Sequence, residues 1–395
     1  MTSRIVVLSL WILVSGLADA ADVTAKPPAC PVPTKYPNVF FKPWRKKPAY
    51  PLPYSELCRS LEWKGVAVSE PDRSVFCCCP VEGPRGKIHM FAARGKPGAN
   101  VWKTWGRSSA IAHYVADKPE GPFRYVATVL EGTRDGSWDS YGPQNPDVRK
   151  IDGKYVMIYT GTRDLETYSA CMSIGMAIAD EPAGPWRRVG QIFDYRGHSN
   201  PVIATGGVCN ATVVARSNGK YYIYFKAGAQ HAASRFFVAI ADKLEGPYTV
   251  HPKPVTEDAG YYIEDGFAWE QDGVVYLMTT DCQQVPGIHG VAKPNILWRS
   301  RDGLHFKYAE ATSAACNIIT HYKDYKPDRN NRHGEGGFAD PAFLLQNGKP
   351  TYYYAPSSTN INGGKNTVIY CMKVHFQDPS KVAVETPPAA CEKKQ

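Results

Sequence analysis

The sequence predicts an all-β chain folded as a five-bladed β-propeller, and three observations point to it. Five turn glycines, Gly86, Gly153, Gly219, Gly273 and Gly348, each precede an aromatic or apolar run: Ile88 to Phe91, Tyr155 to Tyr159, Tyr221 to Phe225, Val274 to Met278 and Thr351 to Tyr354. A second signal runs out of phase with the first, as Ala116-Asp117 to Gly121-Pro122-Phe123, Ala179-Asp180 to Gly184-Pro185-Trp186 and Ala241-Asp242 to Gly246-Pro247-Tyr248, spaced 63 and 62 residues apart. The stretch from Glu264 to Met278 shows the unit most clearly, with acidic residues ahead of an apolar run, a turn at Asp272-Gly273 and a second apolar run. That pattern is an antiparallel hairpin. Two interleaved repeats of a common period argue for radial sheets in a ring. A two-sheet sandwich would also use Asp-Gly turns, but it has no reason to repeat Gly-Pro-aromatic at a fixed offset.

The whole chain bounds the answer further. Its 395 residues, 43% apolar or aromatic, suffice for one large core. Residues 1–20 read as a secretory signal peptide: a single basic residue at Arg4, an apolar run from Ile5 to Val14, and Ala18-Asp19-Ala20 as a small-residue cleavage site. The apolar run is short for a bilayer span, and no later stretch supplies one. The expected product is secreted or periplasmic, with residues 21–61 as an extended Pro-rich strap, residues 62–376 as the propeller and 377–395 as a tail. Eleven cysteines in an exported chain imply disulfide bonds, with at least one thiol left over. Zinc at Cys77-Cys78-Cys79 is disfavoured, because adjacent strand residues point to alternate faces. The formal charge of +9 suits an acidic or sulfated glycan. No nucleic-acid-binding pattern accompanies it.

Along the chain, Trp44 and Tyr54 are expected to pin the strap. Blade one is expected to start near Trp63 and to run through Val66 to Val68, Ser74 to Cys79 and Ile88 to Ala92. Its loop carries Trp102, Trp105 and Arg107. Blade two takes Pro146 to Arg149, Tyr155 to Tyr159 and Ser173 to Ala179, after a loop with Asp135, Trp138, Asp139 and Tyr141 that suits sugar stacking and hydroxyl binding. Blade three takes Asn210 to Ala215, Tyr221 to Phe225 and Phe236 to Ala241. Blade four is the hairpin after Glu264 plus Ile296 to Arg299, with His289 in a loop. Blade five takes Asp340 to Leu345, Thr351 to Tyr354 and Thr367 to Val374. The charged segment before it, with His321, Arg329, Arg332, His333 and Glu335, is expected to cover part of the ring.

Counting back eight residues from each turn glycine, or nine in blade three, reaches Cys78, Asn145, Asn210, Asp265 and Asp340. A recurring polar residue at the start of the innermost strand is what a propeller presents around its axis. With His89 to Arg94, Ala116 to Phe123, Asn145-Pro146-Asp147, Glu264-Asp265-Gly266-Phe267 and Asp340-Pro341, the chain resembles the five-bladed β-propeller glycoside hydrolases of the arabinanase and xylosidase type, including the neoagarooligosaccharide hydrolases. The resemblance covers residues 62 to about 375. It implies an inverting glycosidase with a general acid, a carboxylate base and a third carboxylate that tunes the acid. Glu264 matches the acid, and Asp265 would raise its pKa if a bulge let both face one cavity.

The chain departs from that pattern at the base, where it has Cys78, and at the tuning aspartate, where it has Asn210. Asp72 or Glu70, Asp147 and Asp340 are the remaining candidates for a base. Each also has a plain structural reading in turns or ion pairs. The substrate-binding candidates are Asn145, Asn210, Asp265, Trp105, Arg107, Trp138, Arg163, Lys226, His289, Arg332 and His333, with Arg94 and Arg235 adding positive charge. No metal ligands are assigned, although the resemblance admits an axial calcium or other cation. Asn210-Ala211-Thr212 is a glycosylation sequon expected to be buried and unmodified. Against hydrolysis stand two other readings: a glycan-binding propeller without turnover, and a polysaccharide lyase.

Overall fold

The computed structural model describes residues 52–59, 61–99, 101–165, 171–204, 207–228, 234–256, 263–281, 295–314, 340–356 and 366–382. The expected signal peptide, most of the strap including Trp44, and residues 383–395 of the tail lie outside them.

Among the described residues, twenty strands form five four-stranded antiparallel sheets. In blade one these are β2 (Val75–Glu82), β3 (Ile88–Arg94), β4 (Ala110–Ala116) and β5 (Arg124–Leu130). Blade two has β6 (Tyr141–Ile151), β7 (Lys154–Thr162), β8 (Met172–Ala179) and β9 (Arg187–Gln191), and blade three has β10 (Cys209–Ala215), β11 (Tyr221–Ala227), β12 (Arg235–Ala241) and β13 (Thr249–Val250). Blade four has β14 (Ile263–Gln271), β15 (Val274–Asp281), β16 (Asn295–Ser300) and β17 (Thr312–Ser313). Blade five has β18 (Ala342–Gln346), β19 (Lys349–Pro356) and β20 (Ile369–Lys373). The molecule is a five-bladed β-propeller.

One assignment from the sequence is corrected by the pairing. The strand around Trp63 to Val68, expected in blade one, is β1 (Glu62–Val68), and it pairs with β20 as the outermost strand of blade five. The first strand thereby closes the ring onto the last sheet. Its apolar end explains the placement: Ala67 and Val68 are buried with Ile369 and Tyr370.

Both sequence repeats have a structural cause. Asp152-Gly153, Asp272-Gly273 and Asn347-Gly348 form two-residue hairpin turns in which both residues take positive φ. That geometry matches strand twist and favours Asn or Asp followed by Gly. The Gly-Pro-aromatic motif follows the third strand of its blade, and its aromatic packs toward the preceding blade. Phe123 meets Tyr354 edge-on at 6.2 Å and Trp186 meets Phe91 at 5.3 Å, while Tyr248 packs on the core between blades two and three. The blades are thus joined by aromatic burial, the largest stabilising contribution per side chain.

Of the expected strap, Leu52 is buried against blade four's core and Tyr54 bridges to Ser313. A four-residue helix, α1 (Glu56–Arg59), follows. Another, α2 (Val101–Thr104), lies in the loop after β3. No described helix is long and apolar enough to cross a membrane.

Candidate functional site

The innermost strands of blades one to four are interrupted near their starts. Pairing skips between Phe76 and Cys78, between Gln144 and Asp147, between Cys209 and Thr212, and between Glu264 and Phe267. At these breaks Cys77, Asn145, Asn210 and Asp265 adopt φ of 49°, 46°, 51° and 58°, and Asp340 just ahead of β18 has 48°. Such left-handed residues cost free energy in non-glycine positions and cluster at functional sites. The bulges turn Cys77, Asn145, Asn210 and Asp265 toward the ring axis, which is the effect a bulge has on an otherwise alternating strand, and Asp340 joins them from the residue pair ahead of β18.

The blade one equivalent is therefore Cys77, not Cys78. The reason lies at the far end of the hairpin. Blades one and three join their first two strands through five-residue connections, 83–87 and 216–220, where the other blades use two-residue turns. The count of nine needed in blade three applies to blade one as well.

Cys77, Asn145, Asn210, Asp265 and Asp340 line one axial cavity of about 30 Å³. That is room for about one water and not for a sugar ring, so a carbohydrate would have to sit above it, on the face where the innermost strands begin. The five residues are joined through Asp340 and Asp265. The Cys77 thiol donates to Asp340 Oδ2 at 3.2 Å, Asn145 Nδ2 donates to Asp340 Oδ1 at 2.9 Å, and Asn210 Nδ2 donates to Asp265 Oδ1 at 2.7 Å. The Asp340 backbone amide donates to Asp265 Oδ2 at 3.2 Å. Asn145 Oδ1 is buried without a hydrogen-bond partner among the described residues.

Electrostatics divide the carboxylates. Burial raises Asp265 well above the usual aspartate range, and the negative charges of Asp340 and Glu264 push it further in the same direction. Asp340 is raised too, chiefly by burial, against the hydrogen bonds it accepts. Two carboxyl groups this close cannot both ionise cheaply, so ionisation of the second is disfavoured. Glu264 differs. It stands on the adjoining residue of the same bulge with 27% of its side chain exposed, and the buried Lys226 ammonium sits 2.7 Å from its Oε2. The bulge that Glu264 and Asp265 would need in order to act together is present. Burial pushes the Cys77 thiol well up, so it is a neutral donor and cannot replace a carboxylate base.

The other candidates separate by position. Asp147 lines the same channel deeper in, where Arg149, Thr212 Oγ1 and the Val213 amide bind its oxygens. Arg149 in turn lies over the Phe267 ring at 3.9 Å and donates to the Ala268 carbonyl. Asp72 is on an exposed turn beside Arg73, and Glu70 is taken by Arg94 and the Tyr114 hydroxyl. Asp72 and Glu70 are not brought to the axial ring. Trp105 packs against Phe76 and Cys77 and so borders the site. Arg107, half-buried, follows it in the same loop.

Trp138, expected to stack on sugar, packs instead on Tyr159, 5.1 Å between ring centroids, and over Gly161 and Gly175, where any larger side chain would collide with its ring. Asp139 below it is bonded by Tyr159 and Arg188. Arg163 lies beside Asp194 and Tyr195 in blade two. His289, Arg332 and His333 lie outside the described residues. Among the described residues no His, Cys, Asp and Glu grouping has metal-holding geometry, so no ligand set is assigned to the axial cation. Asn210 is 5% exposed, in keeping with a silent sequon. Cys77, Cys78, Cys79, Cys209 and Cys371 are free thiols, and Cys171 is disulfide-bonded.

No protein-family profile matches the chain. A xylosidase/arabinosidase 43A of Humicola insolens is 38% identical over 63 residues, which span 16% of this chain and only 19% of that protein. Among solved structures, Zg3597, a family 117 glycoside hydrolase of the marine bacterium Zobellia galactanivorans, superposes with a TM-score of 0.57 at 16% identity, covering 84% of this chain and 96% of that one. The GH43_1 enzyme of Xanthomonas citri complexed with xylotriose gives 0.52 at 14% identity, covering 82% and 94%. At such identities the likeness is one of fold, and the fold this chain shares with these glycoside hydrolases is the five-bladed β-propeller.

Proposed function

We propose that this chain is an exported glycosidase that seats a carbohydrate over the leading end of its axial channel and hydrolyses a glycosidic bond there. The observation that carries the reading is the arrangement across one bulge: Asp265 is buried against Asp340, while Glu264 is paired with Lys226. Environments that push two neighbouring acids apart define an acid and a base. The roles expected from the resemblance are accordingly reassigned. The Asp265–Asp340 pair holds the proton given to the leaving oxygen, presented through the half-buried Asp340, and Glu264 is the ionised group that activates water. Inverting hydrolysis remains the stereochemical expectation. Asp147 and Arg149 brace the channel wall and take no part in the chemistry.

The ligand class rests on the net charge of +9, which favours a poly- or oligosaccharide carrying carboxylate or sulfate. One observation favours a second reading. Cys77 and Asn210 stand where the resembled enzymes carry carboxylates, as they would in a propeller that binds glycan without turnover.

The test is a panel of neutral, uronic and sulfated oligosaccharides incubated with the purified full chain, scored for new reducing ends and for unsaturated products that absorb in the ultraviolet. Reducing ends without ultraviolet absorbance are expected. Unsaturated product would establish a lyase, and retention of a glycan without any product would establish the binding protein.

A further inference from the structure

A second cavity lies away from the axial one. A groove of about 660 Å³ opens between blades four and five, lined by Gln271, Tyr276, Arg299 and Lys349 among others. It lies at the trailing ends of the strands that carry the axial acids. Asp265 and Gln271 are six residues apart on β14, roughly 20 Å at the rise of an extended strand. The two sites are therefore on opposite faces of the ring, and this one owes nothing to the axial assignment.

The floor of the groove holds an unanswered acceptor. Gln271 is 9% exposed, and its Nε2 donates to the Gln377 carbonyl at 3.0 Å. That bond fixes the amide, since only the nitrogen can donate to a carbonyl. Oε1 is thereby identified, and it is buried with no hydrogen-bond partner among the described residues. A buried acceptor in this state calls for a donor. Tyr276 beside it is 5% exposed, its ring stacked on Trp269 at 5.3 Å and 21°. The charged lining is balanced: Arg299, Arg301 and Lys349 face Asp272, Glu310 and Asp378. A sulfate or phosphate would meet three carboxylates there, and a cationic ligand would meet three bases. A hydroxyl-rich neutral molecule satisfies donors and acceptors together, because each hydroxyl both gives and takes a hydrogen bond. The volume is that of an ordinary ligand site and exceeds a single sugar ring.

We propose that this groove is a second carbohydrate-binding site, for a neutral oligosaccharide of which one hydroxyl donates to Gln271 Oε1 while its neighbours exchange hydrogen bonds with the charged lining. On this account the site tethers the protein to a glycan chain from the face opposite the axial channel.

The experiment is a glycan array of neutral pentose and hexose oligosaccharides with uronate and sulfated controls, probed with the full chain as wild type, Gln271→Leu, Lys349→Glu and Glu264→Gln. At least one neutral oligosaccharide should bind, lose tenfold or more in affinity in Gln271→Leu and in Lys349→Glu, and persist in Glu264→Gln. Lys349 is exposed, so its substitution leaves the fold intact and an unchanged melting temperature verifies this. The proposal is overturned if no neutral glycan responds to either groove substitution, if only sulfated or uronate glycans respond, or if Glu264→Gln removes the same binding.

Discussion

Asp147 shows how a residue of the right type in the right motif can serve structure. Its side chain is 5% exposed and that of Arg149 is 11%, with 2.8 Å between them. Thr212 and Val213 of the next blade complete the coordination. Removing one partner of a buried pair strands the other charge, so Asp147→Asn should cost about 3 kcal/mol or more of stability, measured by urea denaturation. Asp265 behaves oppositely. Its pKa is raised on folding, so its contribution to stability is complete below the ordinary aspartate range and is lost as pH rises through the folded value. In urea titrations against pH, wild type should lose stability across that interval, and Asp265→Asn should flatten the dependence. An unchanged slope would mean that Asp265 ionises freely in the folded protein.

At the scale of the element, hairpins and bulges differ in how well the sequence announces them. The turns are announced locally: Asp272-Gly273 between two apolar runs has one low-energy solution. Gly273 takes φ of 74° with open space around a would-be Cβ, so Gly273→Ala should cost roughly 1 kcal/mol through backbone strain alone, seen as a lowered unfolding midpoint with unchanged fold. Three of the five axial positions, Asn145, Asp265 and Asp340, were legible for the same reason, since a two-residue turn fixes the distance back from the glycine, and Asn210 was reached by counting one residue further. Cys77 was misplaced by one residue because its hairpin closes through a five-residue connection, which nothing in the Gly83-Pro84-Arg85-Gly86 stretch distinguishes from a tighter turn. The packing roles of Trp138 and Asp147 were not legible. They depend on Gly161, Gly175, Thr212 and Val213 arriving from other strands, and composition near a motif does not reveal which face a side chain meets.

At the scale of the molecule, the circular pairing of β1 with β20 makes the ring a single closed unit, and that closure holds the five axial residues around one axis. Strand β1 was legible as a strand but not as the closing one, because pairing across some three hundred residues leaves no local trace. The same closure separates two faces, one carrying the acid cluster and the other the groove beneath blades four and five. The account's central claim is that proton affinity is divided between Asp265–Asp340 and Glu264 for hydrolysis. It is tested most directly on a glycoside that the oligosaccharide panel shows to be cleaved, by comparing kcat for the natural leaving group with kcat for a nitrophenyl leaving group in Asp265→Asn and Glu264→Gln. An acid is dispensable when the leaving group needs no proton, whereas a base is not. Asp265→Asn should lose about 100-fold or more on the natural glycoside and recover most of it on the nitrophenyl glycoside, while Glu264→Gln should remain impaired on both. Recovery by Glu264→Gln instead would make Glu264 the acid and contradict the account, as would undiminished turnover in either variant.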